Sequence, residues 1–290
     1  MRSLENVSPL AAVCFFALSI GVVMFVRNPI VATISLVFAV ICHFVRNGTK
    51  NMKSHALTLV FFFVLTLLNP FFYHNGKTVL FLIGDAPITL EALIYGVSSA
   101  EAVVAVIYWF RAFTSIMTED KLLSLIGGLS PKFSLMLSTV LRFVPLFIRR
   151  SKETKNAQRV LGMYKEDNIV DTVRGGASVF SAVSGWALEN GIITADSMSA
   201  RGYGTGRRTS FSLYRSRVSD FVLIAVLLLL FAATTVGIVV GARFEFYPMI
   251  VSPVGAPNII SYVSYAALCA LPTVCEICEE LKWKYSESKI

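Results

Sequence analysis

The chain has 290 residues, of which 55% are hydrophobic and only 15% charged, with a mean hydropathy of +0.68. That is more apolar surface than a soluble core of this size can hide, which excludes a water-soluble domain and puts the chain in a bilayer. In that setting a formal net charge of +8 reads as basic cytoplasmic loops and not as a nucleic-acid surface.

Apolar runs fall at residues 10–26, 30–45, 56–73, 88–113, 218–241 and 257–281. A helix needs about 20 such residues to cross the hydrocarbon core, so the pattern predicts an all-α, polytopic integral membrane protein with about six transmembrane helices. The last four runs are long enough. The first two are short and separated by Arg27, Asn28 and Pro29, and read as thin spans or partly re-entrant helices. Residues 1–26 also have the charged start and apolar centre of a signal peptide. No small-residue cleavage site follows Val26, so an uncleaved first span is expected. Ionisable residues inside a span mark function by default. Glu91 and Glu101 stand out on the fourth run, about 80° apart around a helix. Glu91 is expected at the interface and Glu101 in a buried contact.

Arg46, Lys50 and Lys53 share one loop, whereas 74–87 carries Lys77 against Asp85; the first loop is therefore read as cytoplasmic. Residues 142–217 hold 13 of the 26 Lys and Arg, which places the long central region on the same side. Arg243 and Glu245 balance in the next loop, and Lys282, Lys284 and Lys289 return the tail inside. Both termini are thus expected in the cytoplasm. The division is residues 1–113, N-terminal transmembrane helices; 114–217, a cytoplasmic coupling domain of long amphipathic helices; and 218–290, C-terminal transmembrane helices with a short tail.

Roughly a hundred residues between spans is far beyond an ordinary connection. Phe133, Leu137, Val140, Leu141, Val144, Phe147 and Ile148 recur at helical spacing, with Pro131 opening the helix and Pro145 its expected bend. A second helix is predicted from a cap at Asp167 or Asn168 toward Gly202. Its middle reads GGASVFSAVSG, where Gly175, Gly176, Ser178, Ala182 and Gly185 offer a small-residue face for close helix approach, either internally or toward a partner. The two helices end in NAQRVLG and SMSARGYG. A glycine after the last turn accepts the left-handed cap and an arginine beside it suits the negative end of the helix dipole. The same arginine fork is built for bidentate contact with a carboxylate on another protein.

Enzymatic machinery is missing from the sequence. No G-x-x-x-x-G-K-[ST] occurs, so no phosphate-binding loop is expected. His43, His55 and His74 are scattered without ligand spacing, and Cys275 and Cys278 form a C-x-x-C with no second pair, which reads as helix packing. Five cysteines, mostly within spans, argue against a disulfide framework. A transporter or channel that conducts solute itself, with 114–217 as a regulatory loop, stays open as an alternative. A membrane-embedded enzyme would need a catalytic cluster that is not seen.

Two segments carry a family resemblance. PKFSLMLSTVLRFVPLFIRRSKETKNAQRVLG, residues 131–162, resembles the long helix of the energy-coupling factor transporter T components, the CbiQ-like transmembrane coupling subunits. ALENGIITADSMSARGYG, residues 187–204, resembles the segment that closes in their second Ala-Arg-Gly motif. The resemblance implies a cell-membrane scaffold that transmits ATP hydrolysis in two ABC-type ATPase subunits to a separate substrate-binding S component for vitamin or metal-ion uptake. ATP and magnesium would sit in the partner ATPases, with no cofactor or metal in this chain and no nucleic-acid partner. Each motif arginine would meet acidic residues of one ATPase. The second motif falls on Ala200, Arg201 and Gly202. The first falls on Val160, Leu161 and Gly162, with Leu161 in place of the arginine and Arg159 about 200° around the helix from it.

Overall fold

Backbone groups in hydrocarbon must satisfy one another, and helices do this within a single segment. A computed structural model describes residues 7–47, 52–72, 77–83, 86–164, 168–206, 217–241, 244, 246 and 255–287. Among them the elements run α1 (Pro9–Phe25), α2 (Pro29–Asn47), α3 (Met52–Phe72), β1 (Val79–Ile83), β2 (Ala86–Thr89), α4 (Leu90–Ile116), α5 (Glu119–Leu129), α6 (Pro131–Val160), α7 (Ile169–Ala200), α8 (Val218–Val240) and α9 (Ala256–Glu287). Lys50, Asp85, Lys165, Asp167, Arg207, Arg208, Arg215, Arg243, Glu245, Lys289 and His74 lie outside the described residues, as do the side chains of Cys275, Cys278, Lys282 and Lys284.

The chain divides into two compact units, Met1–Leu122 with Tyr214–Ile290, and Leu123–Leu213. In the first, α2, α3, α4 and α8 are long and apolar enough to cross a membrane, while α1 and the described apolar part of α9, Ala256–Leu271, are shorter. The chain is an all-α, multi-pass membrane protein. The second run, expected to be short, gives a full-length α2, because Pro29 is tolerated in a helix's first turn. Its preceding bend is held by Asn28, which donates from Nδ2 to the Tyr262 hydroxyl at 2.8 Å and accepts from the Ile30 N–H at 3.0 Å.

Aromatic packing centres the first unit. Phe15 and Phe16 of α1 meet Trp109 of α4 edge to face, with centroids 5.5 and 6.0 Å apart. Trp109 is fully buried, so its indole N–H needs a partner and finds the Ser35 hydroxyl at 2.9 Å. Small residues bring backbones together: a Cβ on Gly96 of α4 would stand 2.7 Å from the Thr66 carbonyl of α3, and one on Gly237 of α8 2.8 Å from the Pro257 carbonyl of α9. Such close approach is how helices associate where lipid is as apolar as leucine.

Residues 74–87, read above as a plain loop, contain most of an antiparallel hairpin that pairs Val79 with Thr89 and Ile83 with Ala86. The apolar run Val79–Ile83 is too short to span, and the Gly84–Asp85 pair after it has the composition of a two-residue hairpin turn. The hairpin moves the start of α4 to Leu90, where the Thr89 hydroxyl accepts from the Ala92 N–H at 3.3 Å. It also brings Thr78 against Glu91 in the first turn of α4, while Glu101 makes the interhelical contact expected of it. Glu91 is the buried one, 4% exposed, accepting from the Thr78 N–H at 3.3 Å. Glu101 is half-buried and accepts from the Thr33 hydroxyl of α2 at 2.9 Å.

Candidate functional site

Both long helices of the second unit stop for the same reason. At the end of α6, Leu161 is the C-cap and Gly162 adopts φ +70°. The Gly162 N–H returns to the Arg159 carbonyl at 3.1 Å and the Met163 N–H to the Gln158 carbonyl at 2.9 Å. At the end of α7, Arg201 is the C-cap and Gly202 adopts φ +76°. Here the Gly202 N–H bonds the Ser199 carbonyl and the Tyr203 N–H the Met198 carbonyl, both at 3.0 Å. This paired pattern is the Schellman motif, whose left-handed position glycine fills without steric cost.

Because the caps match bond for bond, Val160, Leu161 and Gly162 occupy the places of Ala200, Arg201 and Gly202, and Arg159 matches Ser199. The chemistry at the two ends differs. Leu161 is 72% exposed, with exposed Val160 and Met163 on either side of the Leu161–Gly162 pair. Arg201 is exposed with Tyr203 beside it, and no carboxylate among the described residues lies within ion-pair distance of its guanidinium. Arg149 and Arg150, by contrast, are paired locally with Glu153 at 3.1 and 3.4 Å.

Contacts between α6 and α7 fix their direction. Phe147 meets Trp186 with centroids 6.0 Å apart, the Arg150 guanidinium lies 5.6 Å over the same indole, and Gln158 donates to the Ser178 hydroxyl at 3.1 Å. Beyond the first cap, Tyr164 covers Gly175. Numbers rise on one helix as they fall on the other, so the pair is antiparallel and the caps sit at opposite ends. From Gly175 to Arg201, α7 climbs about 40 Å at 1.5 Å per residue. Helix α6 continues through Pro145 without a break, which leaves the Leu141 carbonyl without its usual helical donor. Asn168 stands at the N-cap of α7 but makes no side-chain bond to the helix.

The small-residue face is divided by this register. Gly175 is buried, and a Cβ there would stand 2.6 Å from the Tyr164 ring; Ser178 holds Gln158. Gly176 and Gly185 have open space where a Cβ would be, and Ala182 is exposed. Around them Ile169, Val173, Phe180, Leu188 and Ile192 are exposed too, a larger apolar surface than a protein leaves to water without a partner or lipid. Sequence reasoning missed Tyr164 and Gln158 as the groups that decide which small residues face inward; the aromatic two positions after the capping glycine was the available signal. It also missed that His43 and His55 converge, with ring centroids 5.1 Å apart. Among the described residues no group of three or more His, Cys, Asp or Glu could hold a metal ion.

Residues 1–213 match the family model CbiQ, described as cobalt transport protein, a stretch that includes both caps. The chain is 25% identical over 190 residues to the energy-coupling factor transporter transmembrane protein EcfT 1 of Listeria monocytogenes serotype 1/2a (strain 08-5578), covering 61% of this chain and 71% of that protein. It is 26% identical over 196 residues to the energy-coupling factor transporter transmembrane protein EcfT of Streptococcus equi subsp. equi (strain 4047), covering 63% of this chain and 70% of that protein.

Proposed function

The chain belongs to the CbiQ family of cobalt transport proteins, and on that premise we propose that it is the transmembrane coupling component of an energy-coupling factor importer. Two ABC-type ATPase subunits bind ATP and magnesium. They dock at the two capped ends of the α6–α7 pair, on the cytoplasmic side, and a separate substrate-binding membrane subunit receives the resulting movement. This chain carries out no chemistry of its own; its work is to hold two docking points at a fixed separation. The cargo is a metal ion or a vitamin selected by the substrate-binding subunit.

One observation carries this reading: a single antiparallel helix pair ends in two matching caps, about 40 Å apart, each presenting one side chain outward. A rigid helix keeps that spacing when force is applied at either end, which a loop would not. At the second cap, Arg201 has its fork available for a carboxylate pair. At the first, Leu161 with Val160 and Met163 offers apolar contact instead. The two ATPase grooves are therefore chemically unlike, one acidic and one apolar. The open small-residue face around Gly176, Ala182 and Gly185 is the close-approach surface for a neighbouring membrane helix.

The test is affinity isolation of the tagged full chain from its native membrane in a gentle detergent. ATPase polypeptides with phosphate-binding loops should co-purify, and ATP should drive uptake in vesicles holding the complex. A chain that is isolated alone while uptake in the same membranes stays intact would defeat the proposal.

A further inference from the structure

A cavity of about 620 Å³ in the first unit has a largely apolar wall into which three helices set polar and basic groups: His43 of α2, Ser54 and His55 of α3, and Arg111, Thr114 and Ser115 of α4, with no Asp or Glu among the described residues that line it. Its volume falls within the ordinary range for a small-ligand pocket. Arg46 adds a second guanidinium at the edge, donating to the Ser115 hydroxyl at 2.6 Å and the Ser115 carbonyl at 3.1 Å.

The geometry points to a binding site for a phosphate-bearing anion. Arg111 cannot shed its proton. Its Nη2 donates to the Thr58 hydroxyl at 2.8 Å and the Ser54 carbonyl at 3.4 Å, and no carboxylate among the described residues is paired with it. The Tyr108 ring faces the guanidinium at 5.3 Å, but a cation in a membrane segment also calls for a counter-charge, and none of the described residues of the wall supplies one. His55 is locked between Phe44 and Tyr108, stacked at centroid distances of 4.9 and 5.8 Å, with Nδ1 3.0 Å from the Tyr108 hydroxyl. Its other nitrogen, Nε2, is buried and without a hydrogen-bond partner. When Tyr108 donates to Nδ1, Nε2 carries the proton and becomes a donor in want of an acceptor. A tetrahedral oxyanion answers both needs: one oxygen accepts from a guanidinium N–H that Thr58 and Ser54 leave over, and the remaining ones accept from imidazole and hydroxyl groups.

The position suits a headgroup. The cavity lies where α2 ends, α3 begins and α4 ends, the end of the bundle that carries Arg46 and Lys53, and basic pockets between spanning helices at such a face take lipid phosphates. Free phosphate presents the same oxygens, so the source is settled by experiment.

The purified full chain in neutral detergent is melted with phosphatidylglycerol, with phosphatidylcholine, with inorganic phosphate, or with chloride at matched ionic strength. It is compared with Arg111→Gln and with Thr114→Glu, which sets a carboxylate at the exposed rim. A phosphate-bearing probe should raise the wild-type melting temperature by a few degrees where chloride does not, and Thr114→Glu should lose that shift. A response to either lipid but not to inorganic phosphate assigns a headgroup; an equal response to inorganic phosphate assigns the free anion. If Arg111→Gln does not fold, Thr114→Glu alone carries the comparison. No shift with any phosphate-bearing probe, or equal shifts in wild type and Thr114→Glu, would overturn the site.

Discussion

Arg201 and Leu161 sit at the same point of two matching caps, so exchanging their chemistry isolates what the side chain does from what the backbone does. If Arg201 meets a carboxylate that is buried on docking, removing it strands that charge, at a cost of about 2–5 kcal/mol, a thirtyfold or greater weakening of ATPase binding. Arg201→Glu should lose more, because like charges then face each other, while membrane insertion stays normal. Leu161→Ala should weaken docking by about 1–2 kcal/mol through lost apolar contact, and Leu161→Glu by more. Arg159→Ala should be milder than Arg201→Ala, since Arg159 stands two places before the cap. Binding of each variant to the isolated ATPases measures all five. Equal losses from Arg159→Ala and Arg201→Ala would move the ionic contact at the first end onto Arg159.

At the scale of the element, the face that the sequence offers as one stripe splits into two roles. Gly175→Leu would drive its side chain into the Tyr164 ring, and overpacking of this kind costs about 1–3 kcal/mol. Its thermal stability in detergent should fall. Gly176→Leu and Ala182→Leu enter open space and should leave stability near wild type while reducing co-purification of the substrate-binding subunit. If both also melt early, the outward face packs within the chain after all. That split was not legible in the sequence, because it depends on the register of α7 against α6, which Tyr164 and Gln158 set through tertiary contact. The spans α3, α4 and α8 were legible, since a run of some twenty apolar residues has few alternatives in a bilayer, whereas the full length of α2 was hidden by the Arg27–Pro29 break before it. So were the caps: an arginine or leucine followed by glycine after helical periodicity names its own ending. The hairpin Val79–Thr89 was hidden by its own apolarity, which merged its second strand with the run that begins α4. The meeting of His43 with His55 was hidden because it requires α2, α3 and α4 to pack before the rings come together.

For the whole molecule, the proposed orientation and coupling stand together: under the proposal the capped ends reach ATPases only from the cytoplasm. In a cysteine-free background, a membrane-impermeant maleimide added outside intact cells should label Thr78→Cys in the hairpin region and spare Tyr203→Cys. The reverse pattern would invert the topology and remove the docking scheme. The most direct test of coupling places a photo-crosslinking phenylalanine analogue at Met163 or at Tyr203, each beside a cap but neither the proposed contact itself, in the assembled transporter. The account predicts that both positions crosslink to ABC-type ATPase polypeptides, each at one groove. Crosslinks from both positions only to lipid or to this chain, in membranes where ATP-driven uptake is intact, would contradict it.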